Sequence, residues 1–173
     1  MAGLKLEIAQ ERPFSSPEEE ALLNLMRTAD SVQRTFHLEM RDWGVTQTQY
    51  NVLRILRGAQ PHGLICSAIG ERMITAEPDI TRILSRLKGL KLIQQHRDKA
   101  DRRVVWTRIS EHGLKLLLEM DPVIEQLPRK LLGHFSSSEI ADLTRLLEMA
   151  RKKTDPLAPL ETNHAGPSKP KSD

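Results

Sequence analysis

The chain has 173 residues, 39% of them hydrophobic and only 3% aromatic, and a formal net charge of +3. This length permits one compact domain, or one intertwined half of a dimer, with a core built mainly from Leu, Ile, Val and Met. The sequence has no run approaching the roughly 20 apolar residues of a membrane span, no basic-then-apolar signal peptide and only one cysteine, Cys66, so we expect a cytoplasmic protein with no membrane association and no intrachain disulfide.

The first third of the chain predicts two helices. Residues 16–19 (SPEE) place serine at the N-cap, proline at the first helical position and glutamate where it can complete a capping box. Apolar residues follow at helical spacing as far as Met40, and Gly44 should end the helix. At about 25 residues this helix is longer than a small lone domain needs, which favours packing against a partner subunit. A second capping-box pattern, residues 46–49 (TQTQ), begins the next helix, which ends at a loop over residues 58–63.

The following segment predicts a helix-turn-helix. A short helix is expected over residues 66–73, and residues 74–77 turn the chain into a second helix. That helix tolerates Pro78 because first-turn amides have no partner within a helix. The buried stripe of the second helix is predicted to be Ile80, Ile83, Leu84 and Leu87, and its other faces carry Thr81, Arg82, Ser85 and Arg86. Two short helices joined by a tight turn, the second polar and basic outside, are typical of this motif.

A hairpin and further helices follow. Residues 92–97 and, more strongly, the β-branched run 104–109 predict two strands joined by a short polar tip. Ser110 should open a leucine-rich helix that Pro122 kinks or restarts. The last helix is expected to begin at Ser136, with a capping box of its own.

Positive charge is concentrated in one part of the chain. Residues 1–42 carry five basic and eight acidic groups, whereas residues 82–108 carry nine basic and two acidic groups, a balance of +7. The nine are Arg82, Arg86, Lys88, Lys91, Arg97, Lys99, Arg102, Arg103 and Arg108. Such a concentration is typical of a surface that binds a polyanion, with an ordinary solvated basic face as the alternative.

Three stretches resemble the MarR (multiple antibiotic resistance regulator) family of bacterial winged-helix transcription factors. Residues 74–93 (ITAEPDITRILSRLKGLKLI) are similar to the family's recognition helix and the turn into its wing. Residues 97–113 (RDKADRRVVWTRISEHG) resemble the wing signature of Asp-x-Arg, an apolar strand, Ser or Thr, and Gly, here Asp101, Arg103, Ser110 and Gly113. Residues 131–150 (LLGHFSSSEIADLTRLLEMA) are similar to the final dimerisation helix, and the resemblance covers roughly residues 18–153.

The resemblance implies a mainly α fold with a small β-hairpin wing, that is, a winged helix-turn-helix with N- and C-terminal dimerisation helices. Residues 17–42 and 110–153 would form the dimerisation helices, residues 46–109 the DNA-binding lobe, and residues 1–15 and 155–173 flexible termini. It also implies a homodimer that binds double-stranded DNA at a pseudo-palindromic operator, usually as a repressor. Release in this family is often by a small ligand or by oxidation.

Candidate DNA contacts lie on and beside the second helix of the helix-turn-helix. They are Ser67, Thr75, Glu77, Pro78, Asp79, Thr81, Arg82 and Arg86. An α-helix fits the major groove, and Arg82 is the strongest candidate there for a guanine or phosphate contact; Arg86 could instead pair with an acidic neighbour. For Thr75 we favour helix capping over a phosphate contact. Pro78 and Asp79 stand where many family members have small hydroxylated or basic residues, and Asp79 could accept a hydrogen bond from cytosine.

The hairpin tip adds three candidates. Arg103 matches the family's inserted arginine and Asp101 the carboxylate that braces it, so we expect a carboxylate–guanidinium fork between them. Narrow A·T minor grooves favour an inserted arginine. Arg102 is expected to contact the DNA backbone, and an ordinary exposed turn is the alternative for the whole tip.

Ligand and metal sites are less clearly marked. His37, Arg41, Trp43 and Tyr50 fall where the family usually binds ligands, so a small aromatic ligand is one hypothesis and core or interface roles are the favoured alternative. Cys66 follows Leu64 and Ile65 and is predicted to be a buried structural thiol rather than an oxidant sensor. His62 and Cys66 form only a weak metal motif, so no metal or other cofactor is expected.

The sequence contains no glycine-rich phosphate loop, nucleophile elbow or pair of catalytic carboxylates, so we predict that the protein is not an enzyme. The main hypothesis is a homodimeric, sequence-specific DNA-binding regulator. The alternative is a protein-interaction module on the same fold that lacks specific operator recognition.

Overall fold

The computed structural model describes residues 3–75 and 79–154, and the structural statements below concern those residues. Its elements, in chain order, are α1 (Leu4–Glu7), α2 (Pro17–Met40), a 3-10 turn (Arg41–Trp43), α3 (Gln47–Gly58), α4 (Cys66–Gly70), α5 (Ile80–Gly89), β1 (Ile93–Arg97), β2 (Val105–Ile109), α6 (Glu111–Ile124), α7 (Leu127–Leu132) and α8 (Ser137–Thr154). The predicted mainly α fold with a hairpin wing is confirmed. In the described ranges, no helix is long and apolar enough to cross a membrane.

Side-chain caps begin the first long helices. Ser16 Oγ accepts from the Glu19 amide at 3.2 Å, as predicted for α2, but the Glu19 carboxylate accepts from the amide and hydroxyl of Ser15. At α3 the predicted capping box is complete, because Thr46 and Gln49 each accept from the other's backbone amide, at 3.2 and 2.9 Å. These caps satisfy amides that have no partner within the helix.

Helices at three places differ from the sequence prediction. Residues 1–15, expected to be a flexible terminus, include α1, which packs against α2 and buries Leu4. Helix α4 ends at Gly70 rather than Met73. Helix α6 continues past Pro122, and the break before α7 falls at residues 125–126. Proline cannot donate one intrahelical hydrogen bond, and the burial of Met120 and Ile124 on either side of it offsets that loss.

The wing is a two-stranded antiparallel hairpin with one further bridge. Ile93 pairs with Ile109 at its base and Arg97 with Val105 near its tip. Leu64, in the chain just before α4, exchanges two backbone hydrogen bonds with Thr107 of β2, at 2.9 and 2.8 Å. The hairpin is therefore joined to the helix-turn-helix by backbone hydrogen bonds.

The core lies where α3, α5, the hairpin and α6 meet. Val52, Leu53 and Leu56 of α3 are completely buried, in one cluster with Leu87 of α5 and Leu117 of α6. Burial of these aliphatic side chains, at about 25 cal/mol per Å² of apolar surface, stabilises the arrangement that presents α5 and the wing.

The contacts divide the chain into two units, residues 1–131 and residues 132–173. In the second unit, α8 begins with the predicted capping box, in which Ser136 Oγ accepts from the Glu139 amide and Glu139 Oε2 from the Ser136 amide. Leu146 and Met149 of α8 are exposed by 53% and 56%.

Candidate nucleic-acid interface

Helix α5 presents a polar outer face. Its inner residues Ile80, Leu84 and Leu87 are buried and Ile83 is half-buried, which confirms the predicted stripe. The side chains between them are exposed: Thr81, Arg82, Ser85 and Arg86. None of the five ion pairs among the described residues involves Arg86, so the structure does not contain the acidic neighbour considered for it.

Asp79 is the N-cap of α5. Its Oδ1 accepts from the Arg82 amide at 2.9 Å, and the helix begins at Ile80. Thr75 is therefore not the cap of this helix, contrary to our expectation, and the Asp79 carboxylate serves the helix start rather than standing free toward a base. Asp79 stands three residues before Arg82, the spacing at which an N-cap side chain reaches a free backbone amide, whereas Thr75 stands seven residues before it. Glu77 and Pro78 lie outside the described residues.

Ser67 and Cys66 lie exposed at the start of α4. The prediction of a buried Cys66 is wrong. Leu64 is held by β2 and is buried, but the chain turns into a helix at Ile65, so Cys66 does not share the environment of its apolar predecessors. Its Sγ lies 4.0 Å from Thr81 Oγ1 on α5.

The wing tip has a different internal structure from the one predicted. Asp101 Oδ1 accepts from the backbone amide of Arg103 at 2.9 Å, and the structure has no ion pair between their side chains. The expected carboxylate–guanidinium fork is therefore wrong, because the two-residue spacing in this turn brings the carboxylate to the amide. Arg102 offers its carbonyl oxygen to Arg97 Nη1 at 2.8 Å. The side chains of Arg102 and Arg103 are both exposed.

Asp98 is a wing residue that our sequence analysis missed. Its Oδ1 accepts from the amides of Ala100 and Asp101, at 2.8 and 3.1 Å, and its Oδ2 accepts from the indole Nε1 of Trp106 at 3.1 Å. The pKa of this carboxyl is lowered, first by the Asp101 amide, then by that of Ala100 and by the indole. An aspartate at the start of a tight turn is a recognisable signal, whereas the tryptophan contact was not readable from the spacing.

The basic groups of α5 and the wing have no acidic partners among the described residues, although Arg97 and Arg108 each donate one hydrogen bond to a backbone carbonyl. All nine basic side chains in residues 82–108 are exposed, and none forms an ion pair with a described residue. The five ion pairs that the structure contains all join residues outside this range. Exposed cations without acidic partners are what a phosphate backbone requires.

Ser110 and Gly113 fix the base of the wing to α6. Ser110 Oγ donates to the carbonyl of Lys91 at 2.7 Å and accepts from the Gly113 amide at 3.0 Å. A Cβ added at Gly113 would lie 2.3 Å from the carbonyl oxygen of Leu92, so no side chain fits there. These two positions of the wing signature have a structural role.

A cleft of about 1230 Å³ opens between α2, α3, α6 and residues 74–75. Three of the four predicted ligand residues line it: His37, Arg41 and Tyr50. Trp43 is not among the lining residues and instead packs half-buried against the core. For Trp43 the structure thus supports the core role that we favoured.

Charge in the cleft is partly neutralised. Arg57 and Asp121 form a two-bond pair at 2.6 and 3.2 Å, which raises the pKa of the guanidinium. Arg54 forms no ion pair with a described residue, and its guanidinium carbon lies 5.9 Å from the ring centroid of Tyr50. Burial raises the pKa of the Tyr50 phenol, which keeps it protonated at neutral pH.

One hydrogen bond connects the cleft to the approach of α5. Asn51, on α3 and in the cleft wall, accepts through Oδ1 from the backbone amide of Ile74 at 3.2 Å. Ile74 and Thr75 line the same cleft. Nowhere in the described ranges does a group of three or more His, Cys, Asp and Glu side chains come close enough together to hold a metal ion.

A helix-turn-helix with a polar outer helix, joined to a basic β-hairpin, defines a winged-helix DNA-binding regulator. Comparison with known proteins gives its family: the sequence model of the MarR family matches residues 45–105. A MarR transcription factor from Planctomyces limnophilus is 34% identical over 79% of this chain and 99% of its own, with a TM-score of 0.62. This chain belongs to the MarR family.

Two further relatives are informative. BpsR of Bordetella bronchiseptica, whose DNA binding is regulated by 6-hydroxynicotinic acid, is 27% identical over 83% of this chain and 99% of its own, with a TM-score of 0.69. The homoprotocatechuate degradative operon repressor of Escherichia coli is 23% identical over 124 residues, 72% of this chain and 82% of its own.

Proposed function

We propose that this DNA-binding regulator is a homodimeric repressor that recognises a pseudo-palindromic operator in the cytoplasm and is released by a small aromatic ligand. It needs no cofactor and has no catalytic role. The observation that carries the proposal is the set of nine exposed basic side chains in residues 82–108, none of them paired with a described acidic group.

The proposed contacts divide between two grooves. Thr81, Arg82 and Arg86, exposed on α5, would face base edges and phosphates in the major groove. Arg103 would enter the adjoining minor groove, where A·T segments concentrate negative potential, and Arg102 would contact the backbone. Each phosphate neutralised adds about one unit to the slope of log affinity against log salt.

Exposed apolar side chains support the homodimer. On α2, Leu22, Leu25 and Met26 are 57%, 43% and 60% exposed, and on α8 Leu146 and Met149 are similarly uncovered. Two α5 helices, one from each protomer, would read half-sites about one helical turn apart. A dimer thus covers the apolar surface and explains a palindromic target at the same time.

The cleft supports control by a ligand. Tyr50 and the adjacent Arg54, which forms no ion pair with a described residue, offer an aromatic ring and a positive charge, which suit a small aromatic acid. A ligand that displaces Asn51 or the segment 74–75 would disturb the chain leading into α5. The regulation of BpsR by 6-hydroxynicotinic acid favours this chemistry, and the named repressor from Escherichia coli favours repression.

The test is a selection of DNA by the full-length protein. Fragmented genomic DNA from the source organism is incubated with the protein near 150 mM salt, and the recovered fragments are sequenced. We expect one enriched palindrome with half-sites about 10 base pairs apart. Uniform recovery of all fragments, lost as salt rises, would instead support a protein-interaction module without operator recognition.

Ligand release is tested on the recovered duplex. We expect 6-hydroxynicotinic acid or a related aromatic acid to lower duplex affinity of the wild type, and Arg54→Met to weaken that response. Arg27→Met is the matched control, because Arg27 is an exposed arginine of α2 that does not line the cleft. Release of the duplex by hydrogen peroxide but by no aromatic acid would contradict the ligand proposal and would indicate oxidation of Cys66 instead.

A further inference from the structure

We propose that Asp98 is a positioning residue of the wing, which acts through Trp106 and two backbone amides to hold the tip in the shape that presents Arg103 to DNA. The inference rests on the proposed contact between the wing and the minor groove. It assigns a role to a residue that lies outside the Asp-x-Arg signature.

The tip is closed first by backbone hydrogen bonds. The Asp98 amide donates to the carbonyl of Val104 at 2.9 Å, and the Val104 amide donates to the carbonyl of Asp101 at 3.0 Å. Inside this closure, Asp98 Oδ1 accepts from the amides of Ala100 and Asp101. These two bonds determine the path of the chain immediately before the arginines.

The second carboxylate oxygen connects the tip to the sheet. Asp98 Oδ2 accepts from Trp106 Nε1 at 3.1 Å, and Trp106 is half-buried on β2, where it pairs with His96 of β1. A turn held only by its own amides could swing as a unit on the two strands. The indole bond restrains that motion because its donor belongs to the strand.

The restraint extends to both arginines through their backbones. Asp101, held by Asp98, accepts from the Arg103 amide, and Arg97 donates to the Arg102 carbonyl. The guanidinium groups of Arg102 and Arg103 remain exposed and form no ion pair with a described residue. A backbone ordered before binding loses less conformational entropy when the side chain is inserted.

Because Asp98 is negatively charged, the positioning role and a purely electrostatic role predict opposite changes in DNA affinity when the residue is removed. A carboxylate beside a DNA-binding arginine repels phosphates, so its removal should strengthen DNA binding if charge were all that mattered. The amide and indole donors lower the pKa of Asp98, so the group is charged at neutral pH. If Asp98 positions the tip, its removal weakens binding despite the more favourable charge.

The experiment measures affinity of the full-length protein for the selected duplex by fluorescence anisotropy at constant salt. Asp98→Ala removes all three acceptor contacts, and Trp106→Phe removes only the indole donor while keeping an aromatic ring. Each should weaken binding roughly three- to tenfold, which is about the net contribution of one ordinary hydrogen bond at an exposed site. Glu71→Gln is the charge control, because Glu71 is exposed at the end of α4 and its side chain bonds to no described residue. This variant should bind as tightly as the wild type or slightly more tightly.

A double-mutant cycle separates positioning from general destabilisation. With Arg103→Ala already present, Trp106→Phe should weaken binding less than it does in the wild type, since one of the two arginine side chains that the tip positions is gone. Amide exchange at residues 100, 101 and 103 should accelerate in Asp98→Ala while exchange in α3 and α6 stays unchanged.

Three results would overturn the inference: Asp98→Ala binding as tightly as or more tightly than the wild type, an equal effect of Trp106→Phe with and without Arg103, or unaltered exchange at the tip. A wild type that selects no duplex contradicts the proposed function itself, and the positioning role falls with it.

Discussion

The Arg57 guanidinium meets the Asp121 carboxylate in two hydrogen bonds, Nη1 to Oδ2 at 2.6 Å and Nη2 to Oδ1 at 3.2 Å. The pair joins α3, which carries the core of the DNA-binding lobe, to α6, which follows the wing. Only 33% and 20% of the two side chains are exposed, less than in any other ion pair of the described residues when both partners are considered. It also lies in the wall of the cleft, so a ligand there contacts residues that connect the two helices.

Breaking this pair should lower stability more than breaking a surface pair. We expect Asp121→Ala to lower the free energy of unfolding by about 1–2 kcal/mol, because a half-buried guanidinium is left without its partner, with a discount for solvent screening. Urea denaturation at fixed protein concentration measures the change. Asp142→Ala, from an exposed pair on α8, is the control and should cost less than about 0.5 kcal/mol. Equal losses of unfolding free energy in the two variants would show that the Arg57–Asp121 pair stabilises the fold no more than a surface pair does.

The two wing arginines should differ in what their removal does. Arg103→Ala should weaken binding to the selected duplex about tenfold and reduce its preference for A·T pairs under the wing, because a minor-groove contact reads groove width. Arg102→Ala should weaken binding to all duplexes alike and lower the salt slope by about one. Anisotropy titrations at several salt concentrations measure both effects. Arg12→Ala, an exposed arginine of the N-terminal segment, is the control. Identical behaviour of the two wing variants would refute the division of roles.

Gly113 should tolerate no side chain. Gly113→Ala places a Cβ 2.3 Å from the Leu92 carbonyl oxygen and 2.8 Å from Ile109 Cγ1. We expect a loss of roughly 1–3 kcal/mol, or failure to fold, because backbone rather than a flexible side chain must move. Gly89→Ala is the matched control, since nothing lies within 4 Å of its added Cβ. Thermal denaturation of both variants is sufficient, and a stable Gly113→Ala would contradict the geometry at the wing base.

Asp98 should make the wing sensitive to acid. Its pKa in the folded protein is lowered by the Asp101 amide, the Ala100 amide and the Trp106 indole, with a further contribution from nearby His96. A carboxyl with a lowered pKa stabilises the fold above its unfolded pKa, and this contribution disappears as pH falls through the folded value. An NMR titration should therefore give the Asp98 carboxyl a pKa below the ordinary aspartate value. In Trp106→Phe that pKa should be higher than in the wild type. An unchanged pKa in that variant would show that the indole does not interact with the carboxylate in solution.

Cys66 should react readily in the native protein. Its exposure at the start of α4 predicts that a disulfide reagent such as DTNB modifies it without prior denaturation. The measurement compares the rate in buffer with the rate in urea. A reaction rate in buffer many times slower than the rate in urea would show that the thiol is buried, as the sequence had suggested.

Much of this protein was determined by its sequence alone. Local patterns act over a few residues, and the structure confirms those that depend on such short distances: the capping boxes at Thr46 and Ser136, the buried stripe of α5 and the two strands of the wing. The same short-range signals placed the exposed arginines on α5 and the hairpin, because alternation and helical period decide which side chains face the core.

Only the tertiary structure decided which groups meet. It gave Asp79 the cap of α5, brought the Asp101 carboxylate to an amide instead of a guanidinium, and exposed Cys66. The Asp98–Trp106 contact and the Arg57–Asp121 pair join residues whose separation, eight and 64 positions, depends on how a turn or a helix pair folds. A sequence pattern predicts which face a side chain occupies, whereas a hydrogen bond needs two atoms within about 3 Å, and only the folded backbone provides that accuracy.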